Sequence, residues 1–211
     1  MMTGGATGVL VGAVVVSVAV VVWAVRTETF GLQVVSKTLA SLGFVAIGAL
    51  AAGDASSFGR LLMIGLVLCA LGDVLLLWDR TFDPGLWAFL SGHVAYVAAF
   101  AVALPIAGWR LEVALPLTVA ALVVGRWLWP HLGRRRVSVS AYIAVISVMV
   151  LAAVSAALAD AVAWMAAVGA VLFYLSDLTV ARHRFVQTDF VNRAVGLPLY
   201  YAGQVLIALS I

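Results

Sequence analysis

The sequence predicts an all-α protein, a polytopic integral membrane bundle of eight transmembrane helices. Hydrophobic residues make up 65% of the 211 residues and charged residues only 10%, whereas soluble domains carry roughly 25% charged residues. The apolar residues also fall into eight runs, each close to the roughly 20 residues that one helix needs to cross a bilayer. Such a chain has too little polar surface for a soluble fold and too few charges for a disordered one.

The eight runs follow one another with short segments between them. Each run is expected to be a helix, because lipid cannot satisfy the hydrogen-bonding groups of an open backbone, and none shows the alternation of a membrane β-strand. No linker separates the runs, and the 19 glycines favour close helix packing, so we expect a single transmembrane domain over residues 1–211. The runs cover residues 8–25, 34–52, 61–78, 86–107, 112–129, 139–159, 162–180 and 194–211.

The arginines of the connecting segments predict the orientation of the bundle. Eight of them lie after the first, third, fifth and seventh runs, and two lie after the second, fourth and sixth. By the positive-inside rule the first group of segments faces the cytoplasm and both termini lie outside, as expected for a protein of the cell (inner) membrane. The eight are Arg26, Arg80, Arg134, Arg135, Arg136, Arg182, Arg184 and Arg193, and the two are Arg60 and Arg110.

Several common segments and sites are not expected. The first eight residues carry no lysine or arginine, so we expect no cleavable signal peptide. Cys69 is the only cysteine, and the three histidines lack the spacing of a metal site, so we expect no disulfide, no metal and no cofactor. The basic residues lie mostly in connecting segments, where they set orientation, and therefore indicate no nucleic-acid partner. The oligomeric state is left open.

Four ionisable residues interrupt the apolar runs: Lys37, Asp73, His93 and Asp177. An ionisable side chain within a membrane helix costs roughly 2.5–3.5 kcal/mol on insertion scales, so it normally faces the bundle interior and serves a function. The other aspartates fall near helix ends, at Asp54, Asp79, Asp83, Asp160 and Asp189. Uncharged polar residues accompany the four ionisable ones: Tyr96, Tyr142, Ser176, Tyr200, Tyr201 and Gln204.

These polar residues are expected at one depth. Lys37 and His93 come early in their runs and Asp73 and Asp177 come late in theirs, so antiparallel neighbours bring them to the leaflet beside the arginine-rich segments. At 1.5 Å per residue, Asp73 should lie about 8 Å and His93 about 10 Å inside their helix ends. Spacings of three or four residues, such as Lys37 with Ser41, put several of them on shared helix faces. The pattern predicts a polar pocket open to the cytoplasmic side.

A purely structural role is the alternative for this set. Lys37 could extend to the interface or neutralise an aspartate, His93 could be a hydrogen-bonded structural histidine, and the tyrosines could lie at headgroup level. Asp73 and Asp177 are harder to explain in this way, because a carboxylate inside the bilayer reaches water with difficulty. Of the two, Asp177 is expected nearer its helix end.

Six motifs occur in order along the chain. They are Lys37, Leu71-Gly72-Asp73, Gly92-His93-x-x-Tyr96, Tyr142, Phe173-x-x-Ser176-Asp177 and Tyr200-Tyr201-x-x-Gln204. In this order and spacing the chain resembles the transmembrane lysoplasmalogenase family, also called YhhN-like. The similarity covers most of the chain as an eight-helix pattern, and its motifs are weak singly but specific together.

The resemblance implies cleavage of the vinyl-ether bond of lysoplasmalogens, which are lysophospholipids of the membrane, to a fatty aldehyde and glycerophospho-ethanolamine or -choline. Vinyl-ether hydrolysis needs a general acid, a nearby anion and a positioned water. We expect Asp73 and Asp177 to divide the acid and base roles in either order, with His93 orienting water or moving protons. Lys37 would hold an aspartate ionised or meet the phosphate. The other residues expected to bind substrate are Tyr96, Tyr142, Ser176, Tyr200, Tyr201 and Gln204.

Two other functions fit parts of the pattern. Asp73 and Asp177 could form the dyad of an intramembrane aspartyl protease, but the longer Gly-x-Gly-Asp signature is absent because Ala70 holds the first glycine position. A small transporter would carry its ionisable residues near the midplane, often in broken helices. Here the polar layer is off centre, and the prolines form no matched pair of breaks.

Overall fold

Eight long helices account for most of the described chain, and no strand occurs within it. The computed structural model describes residues 2–52 and 56–211. The predicted all-α architecture is confirmed. The helices are α1 (Met2–Arg26), α2 (Phe30–Ala52), α3 (Ser57–Leu75), α4 (Phe82–Ala103), α5 (Leu111–Leu128), α6 (Arg136–Leu158), α7 (Trp164–Ala181) and α8 (Phe190–Leu209).

Seven of these described helices, α1 to α7, are long and apolar enough to cross a membrane. Helix α8 is of comparable length, but Asn192, Arg193 and Gln204 make it more polar. Asn192 and Gln204 are buried, and α8 packs against α7, α2 and α1, which is how polar residues of membrane helices are normally accommodated. The chain is thus a multi-pass membrane protein with the predicted number of helices. Length and composition by themselves identify seven of these helices as membrane-spanning.

Helices α3 and α4 each begin and end about four residues earlier than predicted. Helix α3 ends at Leu75, whose carbonyl oxygen accepts a hydrogen bond from Thr81 Oγ1 at 2.5 Å. Helix α4 then includes Pro84 in its first turn, where the N–H that proline lacks has no helical partner. His93 therefore lies eleven residues after the start of its helix, about 16 Å along the axis. The predicted depth of about 10 Å was too small because the polar first turn of α4 was assigned to the connecting segment.

The helices pack as neighbouring pairs around a small set of central ones. Helix α1 packs along α2, α3 along α4 and α7 along α8, while α2 also contacts α3 and α8, and α6 contacts α4, α5 and α7. Helix α5 buries little of its length, and apolar side chains such as Leu115 and Leu122 are exposed on it. In a membrane protein these exposed apolar faces contact lipid. The polar residues instead lie on the inner faces of α2, α3, α4, α6, α7 and α8.

Glycine on both sides of the contact lets α7 and α8 approach closely. A Cβ atom added to Gly169 would lie 2.7 Å from the carbonyl oxygen of Gly203, and one added to Gly203 would lie 2.8 Å from that of Gly169. Small residues allow membrane helices to pack at short distance. This crossing holds together the two helices that carry Asp177 and Tyr200.

Three of the described aspartates outside the apolar runs lie at helix ends, as predicted. Asp160 ends α6 with a positive φ of 52°, and the N–H of Ala161 donates to the carbonyl oxygen of Ala156 at 2.9 Å. This is a left-handed helix cap. The residues concerned are Asp83, Asp160 and Asp189. Asp79 instead begins the 3₁₀ turn Asp79–Thr81 between α3 and α4, and Asp54 lies outside the described residues.

Candidate active site

Asp73, on α3, is the centre of the first polar cluster. Its Oδ1 lies 3.2 Å from Lys37 Nζ, and its Oδ2 accepts hydrogen bonds from Ser41 Oγ and Tyr200 OH, each at 2.7 Å. The side chain is only 2% exposed. An ammonium group and two hydroxyl groups can all act as donors, and donors are the partners that an ionised carboxylate requires.

Helical spacing brings the partners of Asp73 together from two other helices. Lys37 and Ser41 are one turn apart on α2, on the shared face that the sequence predicted. Tyr201, next to Tyr200 on α8, has its hydroxyl 3.2 Å from Ser41 Oγ and also donates to the backbone carbonyl oxygen of Lys37 at 3.2 Å. Tyr200 thus contacts the carboxylate, while Tyr201 ties α8 to the backbone that carries Lys37.

Asp177, on α7, is the centre of the second polar cluster. Its Oδ2 accepts a hydrogen bond from Tyr142 OH, on α6, at 2.8 Å and lies 3.6 Å from His93 Nε2, on α4. No lysine or arginine of residues 2–52 and 56–211 forms an ion pair with it. Its side chain is 17% exposed, so Asp177 is the more accessible of the two intramembrane carboxyl groups.

The tautomer of His93 follows from its contact with the backbone. Nδ1 lies 2.7 Å from the carbonyl oxygen of Phe89, and a carbonyl oxygen only accepts, so Nδ1 carries a proton. Nε2 points toward Asp177 and has no hydrogen-bond partner within the described chain. A single proton, carried either by His93 Nε2 or by Asp177 Oδ2, would allow a hydrogen bond between the two groups.

Aromatic rings connect the two clusters. The His93 ring lies 4.4 Å from that of Phe173 at 31° and 5.2 Å from that of Tyr142 at 68°. Phe173 in turn lies 5.3 Å from the ring of Tyr200, which donates to Asp73. The rings thus form a continuous row of aromatic contacts from one cluster to the other.

A third polar pair, Tyr96 and Gln204, is buried deeper in the bundle and does not line the cavity. Tyr96 OH donates to Gln204 Oε1 at 2.7 Å, and both side chains are fully buried. Gly65 on α3 makes room for the Tyr96 ring, since a Cβ atom at that position would overlap it. Gln204 Nε2 has no partner among the residues that the structure describes. The pair links α4 to α8 through the protein interior.

Ser176 contributes a hydroxyl group that serves its own helix. Its Oγ donates to the backbone carbonyl oxygen of Phe173 at 2.8 Å, and its own carbonyl oxygen accepts from Thr179 Oγ1 at 2.7 Å. The residue is buried. Ser176 therefore lies beside Asp177 in sequence without bonding to it, as the turn of about 100° between neighbouring helix positions requires.

A cavity of about 360 Å³ gives access to both carboxyl groups. Its walls are largely apolar, with Leu86, Leu128, Ile143 and Ile146 among them. Six residues of the predicted site line it: Lys37, Asp73, Tyr142, Ser176, Asp177 and Tyr200. The other four lie behind this lining: His93, Tyr96, Tyr201 and Gln204.

The segment between α7 and α8 forms a basic mouth to this cavity. Helix α7 continues into a π-helical turn at Arg182–Val186, a feature that is frequent near functional sites. His183, Arg184 and Arg193 line the cavity here. Arg184 NH1 lies 2.9 Å from Asp79 Oδ1, so the mouth is bridged to the segment before α4.

Hydrogen bonds cross-link the chain between α7 and α8. Arg182 NH1 donates to Asp189 Oδ2 at 2.9 Å and to Asn192 Oδ1 at 2.5 Å. Asp189 caps α8, accepting from the Asn192 N–H at 2.8 Å. This hydrogen bond, with Arg182 beside it, holds the pKa of the Asp189 carboxyl group below its usual value. The network fixes the backbone from which Arg193 reaches the cavity.

Several polar residues that line the cavity or contact Asp73 were not among those predicted for the site, and four of them are Ser41, Tyr174, Asn192 and Arg193. Ser41 could have been included, because it is four residues from Lys37. Tyr174 is three residues before Asp177, and its buried hydroxyl has no hydrogen-bond partner in the described chain. Asn192 and Arg193 fall where the sequence indicated a connecting segment, and Arg193 was interpreted only as an orientation signal.

The prediction that the chain has no metal site concerns its His, Cys, Asp and Glu side chains. Among residues 2–52 and 56–211, no group of three or more His, Cys, Asp or Glu side chains could hold a metal ion. Among the four ionisable residues of the apolar runs, Asp73 is paired with Lys37 and Asp177 faces His93.

Comparisons with known proteins identify relatives in mammals and mycobacteria. The chain is 33% identical over 157 residues to lysoplasmalogenase TMEM86A of Bos taurus, covering 71% of this chain and 64% of the relative. It is 36% identical over 160 residues to lysoplasmalogenase of Mycobacterium tuberculosis, covering 70% of this chain and 59% of the relative. It is 32% identical over 167 residues to lysoplasmalogenase TMEM86B of Sus scrofa, covering 70% and 62%.

The matches thus span about three-fifths of the length of these relatives. No solved structure shows a significant match to the chain. The YhhN family profile matches residues 32–211, which include all ten residues of the predicted site, from Lys37 on α2 to Gln204 on α8. On this match and on the similarity to those relatives, the chain belongs to the YhhN family.

Proposed function

We propose that this protein is a lysoplasmalogenase. It hydrolyses the vinyl-ether bond of a lysoplasmalogen to a fatty aldehyde and glycerophospho-ethanolamine or -choline. The observation that carries the proposal is the pair of differently partnered carboxyl groups, Asp73 and Asp177, beside one largely apolar cavity. The names of the mammalian and mycobacterial relatives support the same substrate.

The cavity suits an amphiphile that enters from the membrane. Its apolar walls offer a surface for the alkenyl chain, and the same lining carries the two carboxyl groups and the basic side chains of the mouth. One cavity thus provides contacts for the chain, the vinyl ether and the headgroup of a lysophospholipid. Membrane lipids are the other partners, along the exposed apolar faces of the bundle.

Asp73 serves as the stationary anion of the mechanism. Lys37, Ser41 and Tyr200 already saturate its oxygens, so it offers no proton. A buried, preorganised carboxylate stabilises positive charge that develops nearby, and it needs no reorganisation to do so. Its role is to stabilise the oxocarbenium cation that protonation of a vinyl ether creates.

Asp177 serves as the general acid and His93 as its proton partner. The two groups hold one transferable proton between them, because His93 Nδ1 is committed to Phe89 and Nε2 faces Asp177 Oδ2. Of the two carboxyl groups, Asp177 is the more exposed, and no lysine or arginine of the described residues is paired with it. This geometry favours Asp177 as the acid, where the sequence left the choice between the two aspartates open.

The reaction is balanced with respect to protons. Asp177 gives its proton to the β-carbon, and the π electrons of the vinyl ether form the new C–H bond and leave an oxocarbenium cation at the α-carbon and oxygen. Water adds to the α-carbon and gives a proton to the Asp177 carboxylate, which forms a hemiacetal and restores the acid. As the hemiacetal collapses, Asp177 gives this proton to the glycerol oxygen, the C–O bond to glycerol breaks, and the hydroxyl proton returns to Asp177 as the C=O bond forms. His93 Nε2 lies behind the cavity lining and exchanges protons with Asp177 alone.

The remaining residues divide into two groups by their access to the cavity. Tyr142 and Tyr200 line it and donate to the two carboxyl groups, so they hold the acid and the anion in position beside the substrate. Tyr96, Tyr201 and Gln204 lie behind the lining, and Ser176 donates to its own helix. For Tyr96, Tyr201 and Gln204 a supporting role fits the geometry better than the substrate contact expected from the sequence. Ser176 lines the cavity, but its hydroxyl group is engaged with its own helix, so a supporting role fits it as well.

The protease and transporter alternatives receive less support. A protease dyad shares a proton between two adjacent carboxyl groups, whereas Asp73 and Asp177 each have separate partners, and no hydrogen bond joins them in the described chain. A transporter would show uptake without bond cleavage. Peptide cleavage without lysolipid turnover would favour the first alternative, and vesicle uptake of intact lipid the second.

We further propose that the cavity opens toward the cytoplasm in the cell (inner) membrane. The arginine-rich segments, which include the mouth, support this orientation by the positive-inside rule. Cys69 is buried and is the only cysteine, so single introduced cysteines report cleanly. A membrane-impermeant maleimide applied to intact cells should label Ala107→Cys, before α5, and leave Thr188→Cys, at the mouth, unlabelled until the cells are opened. The reverse pattern would contradict the orientation.

Aldehyde release tests the function directly. Purified protein is incubated with a vinyl-ether lysophospholipid and, separately, with its saturated-ether analogue. Aldehyde should appear from the vinyl ether alone, and Asp73→Asn and Asp177→Asn should each retain less than about a tenth of the activity. Removing a general acid such as Asp177 typically costs about 10²–10⁴-fold, and removing a preorganised stabilising group, the role of Asp73, costs about 10²–10³-fold. Asp83→Asn, at the exposed start of α4, is the matched control. No aldehyde from folded wild-type protein would overturn the proposal.

A further inference from the structure

Arg193 is a cation at the mouth of the cavity, and no described residue forms an ion pair with it. It lies in the first turns of α8, is half-buried, and lines the cavity. Within the described chain it takes part in no hydrogen bond of its side chain and in no ion pair. A partly buried guanidinium group has five donors to satisfy, so this environment suits an anionic ligand.

The other basic side chains that line the cavity are already engaged. Lys37 is paired with Asp73. Arg184 is paired with Asp79 at 2.9 Å and also lies 4.1 Å from the ring centroid of Phe82. His183 Nδ1 contacts the backbone carbonyl oxygen of Asp189 at 3.1 Å. Arg193 is therefore the cation of this lining that remains available to a ligand.

We infer that Arg193 binds the phosphate of the lysophospholipid headgroup and so determines specificity for phospholipids over neutral glycerol ethers. The inference rests on the proposed function. Arg193 lies seven residues before Tyr200 on the same helix, about 10 Å along its axis, and Tyr200 donates to Asp73. A phosphate at Arg193 would therefore lie outward of the carboxyl groups, with the glycerol unit between the phosphate and the vinyl ether.

The direction of the two helices supports the same placement. Asp177 lies near the end of α7 and Arg193 near the beginning of α8. The segment between these helices, which forms the mouth, therefore follows the helix of the acid and precedes Arg193. Arginine binds phosphate oxygens through two parallel N–H donors, which fixes the orientation of the headgroup as well as its position. This contact would orient the lipid with its ether end inward.

Binding of a ligand that cannot be cleaved tests the inference. The probes are a tritiated saturated-ether lysophosphatidylcholine and the matching alkylglycerol, which lacks the phosphate, each bound to purified protein in a scintillation proximity assay. Arg193→Gln should weaken binding of the phospholipid by about 10- to 100-fold, the effect of losing charge-assisted hydrogen bonds. Binding of the alkylglycerol should change by less than about twofold. Arg60→Gln, an exposed arginine at the start of α3, is the matched control and should leave both unchanged.

Two further arms distinguish a headgroup site from a misfolded variant and from a site for free anions. Arg193→Lys keeps the charge without the planar pair of donors, so it should show an intermediate loss and guards against misfolding of the first variant. Glycerophosphocholine and inorganic phosphate are added as competitors. Inorganic phosphate that competes as strongly as the lysolipid would overturn the headgroup assignment in favour of a site for free anions.

The outcomes are independent of catalysis. Equal losses for the phospholipid and the alkylglycerol would overturn the inference, because they would indicate a structural role for Arg193. No loss for the phospholipid would also overturn it. Since neither probe contains a vinyl ether, a wild-type protein that released no aldehyde would contradict the proposed function while a phosphate-selective loss in Arg193→Gln still stood.

Discussion

Lys37 Nζ lies 3.2 Å from Asp73 Oδ1 inside the bundle, and both side chains are largely buried. The pair joins α2 to α3, and the hydroxyl groups of Ser41 and Tyr200 complete the shell around the carboxylate. Two opposite charges that are withdrawn from water depend on each other, because either one alone would be an uncompensated charge in an apolar surrounding.

Removing the lysine alone should therefore destabilise the protein more than removing both charges. Lys37→Met leaves Asp73 unpaired, and breaking a buried pair typically costs about 3–5 kcal/mol. The double variant Lys37→Met/Asp73→Asn should recover much of that loss without recovering activity. Thermal unfolding in detergent measures the stabilities, and a double-mutant cycle isolates the coupling. Single and double variants of equal stability would show that the pair contributes nothing.

The hydroxyl of Tyr142 should matter more for turnover than for stability. Tyr142→Phe removes the hydrogen bond to Asp177 Oδ2, which we assign to the general acid. The kcat for vinyl-ether cleavage is expected to fall by about 10- to 100-fold, in line with the loss of a hydrogen bond to a charged or reacting group. Ser147→Ala removes another hydroxyl from α6, one that donates to its own helix, and should leave kcat unchanged. A Tyr142→Phe enzyme of normal kcat would exclude this contact from catalysis.

The close contact of α7 and α8 should tolerate no side chain. Gly169→Ala would bring a Cβ atom within 2.7 Å of the Gly203 carbonyl oxygen, so the helices must separate, and we expect a clear loss of thermal stability together with a loss of activity. Gly125→Ala in α5 meets no atom within 4 Å and should gain stability, by about 1 kcal/mol, from its higher helix propensity. Similar unfolding temperatures for the two variants would contradict the packing described here.

The cap of α8 should make the mouth sensitive to acid. The pKa of Asp189 is lowered because the Asn192 N–H and Arg182 stabilise its carboxylate. Its contribution to stability is therefore complete above the ordinary aspartate pKa, near 4, and is lost as the pH falls through the lowered value. Asp189→Asn keeps a capping side chain but has no charge to lose. Below about pH 4, hydrogen exchange of residues 182–192 should rise in the wild type more than in this variant, and equal increases would contradict the prediction.

The sequence by itself determined the all-α membrane architecture and the set of polar residues that meet inside it. The reason is physical: an apolar run in lipid must be a helix, and an ionisable residue in such a run must face the bundle interior. Helical periodicity also determined which residues share a face, as Lys37 and Ser41 do. These inferences depend only on local spacing and on the solvent around the chain.

The tertiary structure decided how those residues pair. Both aspartates satisfy the same local rules, yet one faces Lys37 and the other faces His93 and Tyr142, because pairing depends on which helices are neighbours and how each is rotated about its axis. The position of Arg193 was also decided by the tertiary structure. In the sequence it indicated only the orientation of the bundle, and in the fold it lines the cavity. Neighbour choice and rotation arise from packing over the whole bundle, such as the Gly169–Gly203 contact, and no single segment of the sequence contains them.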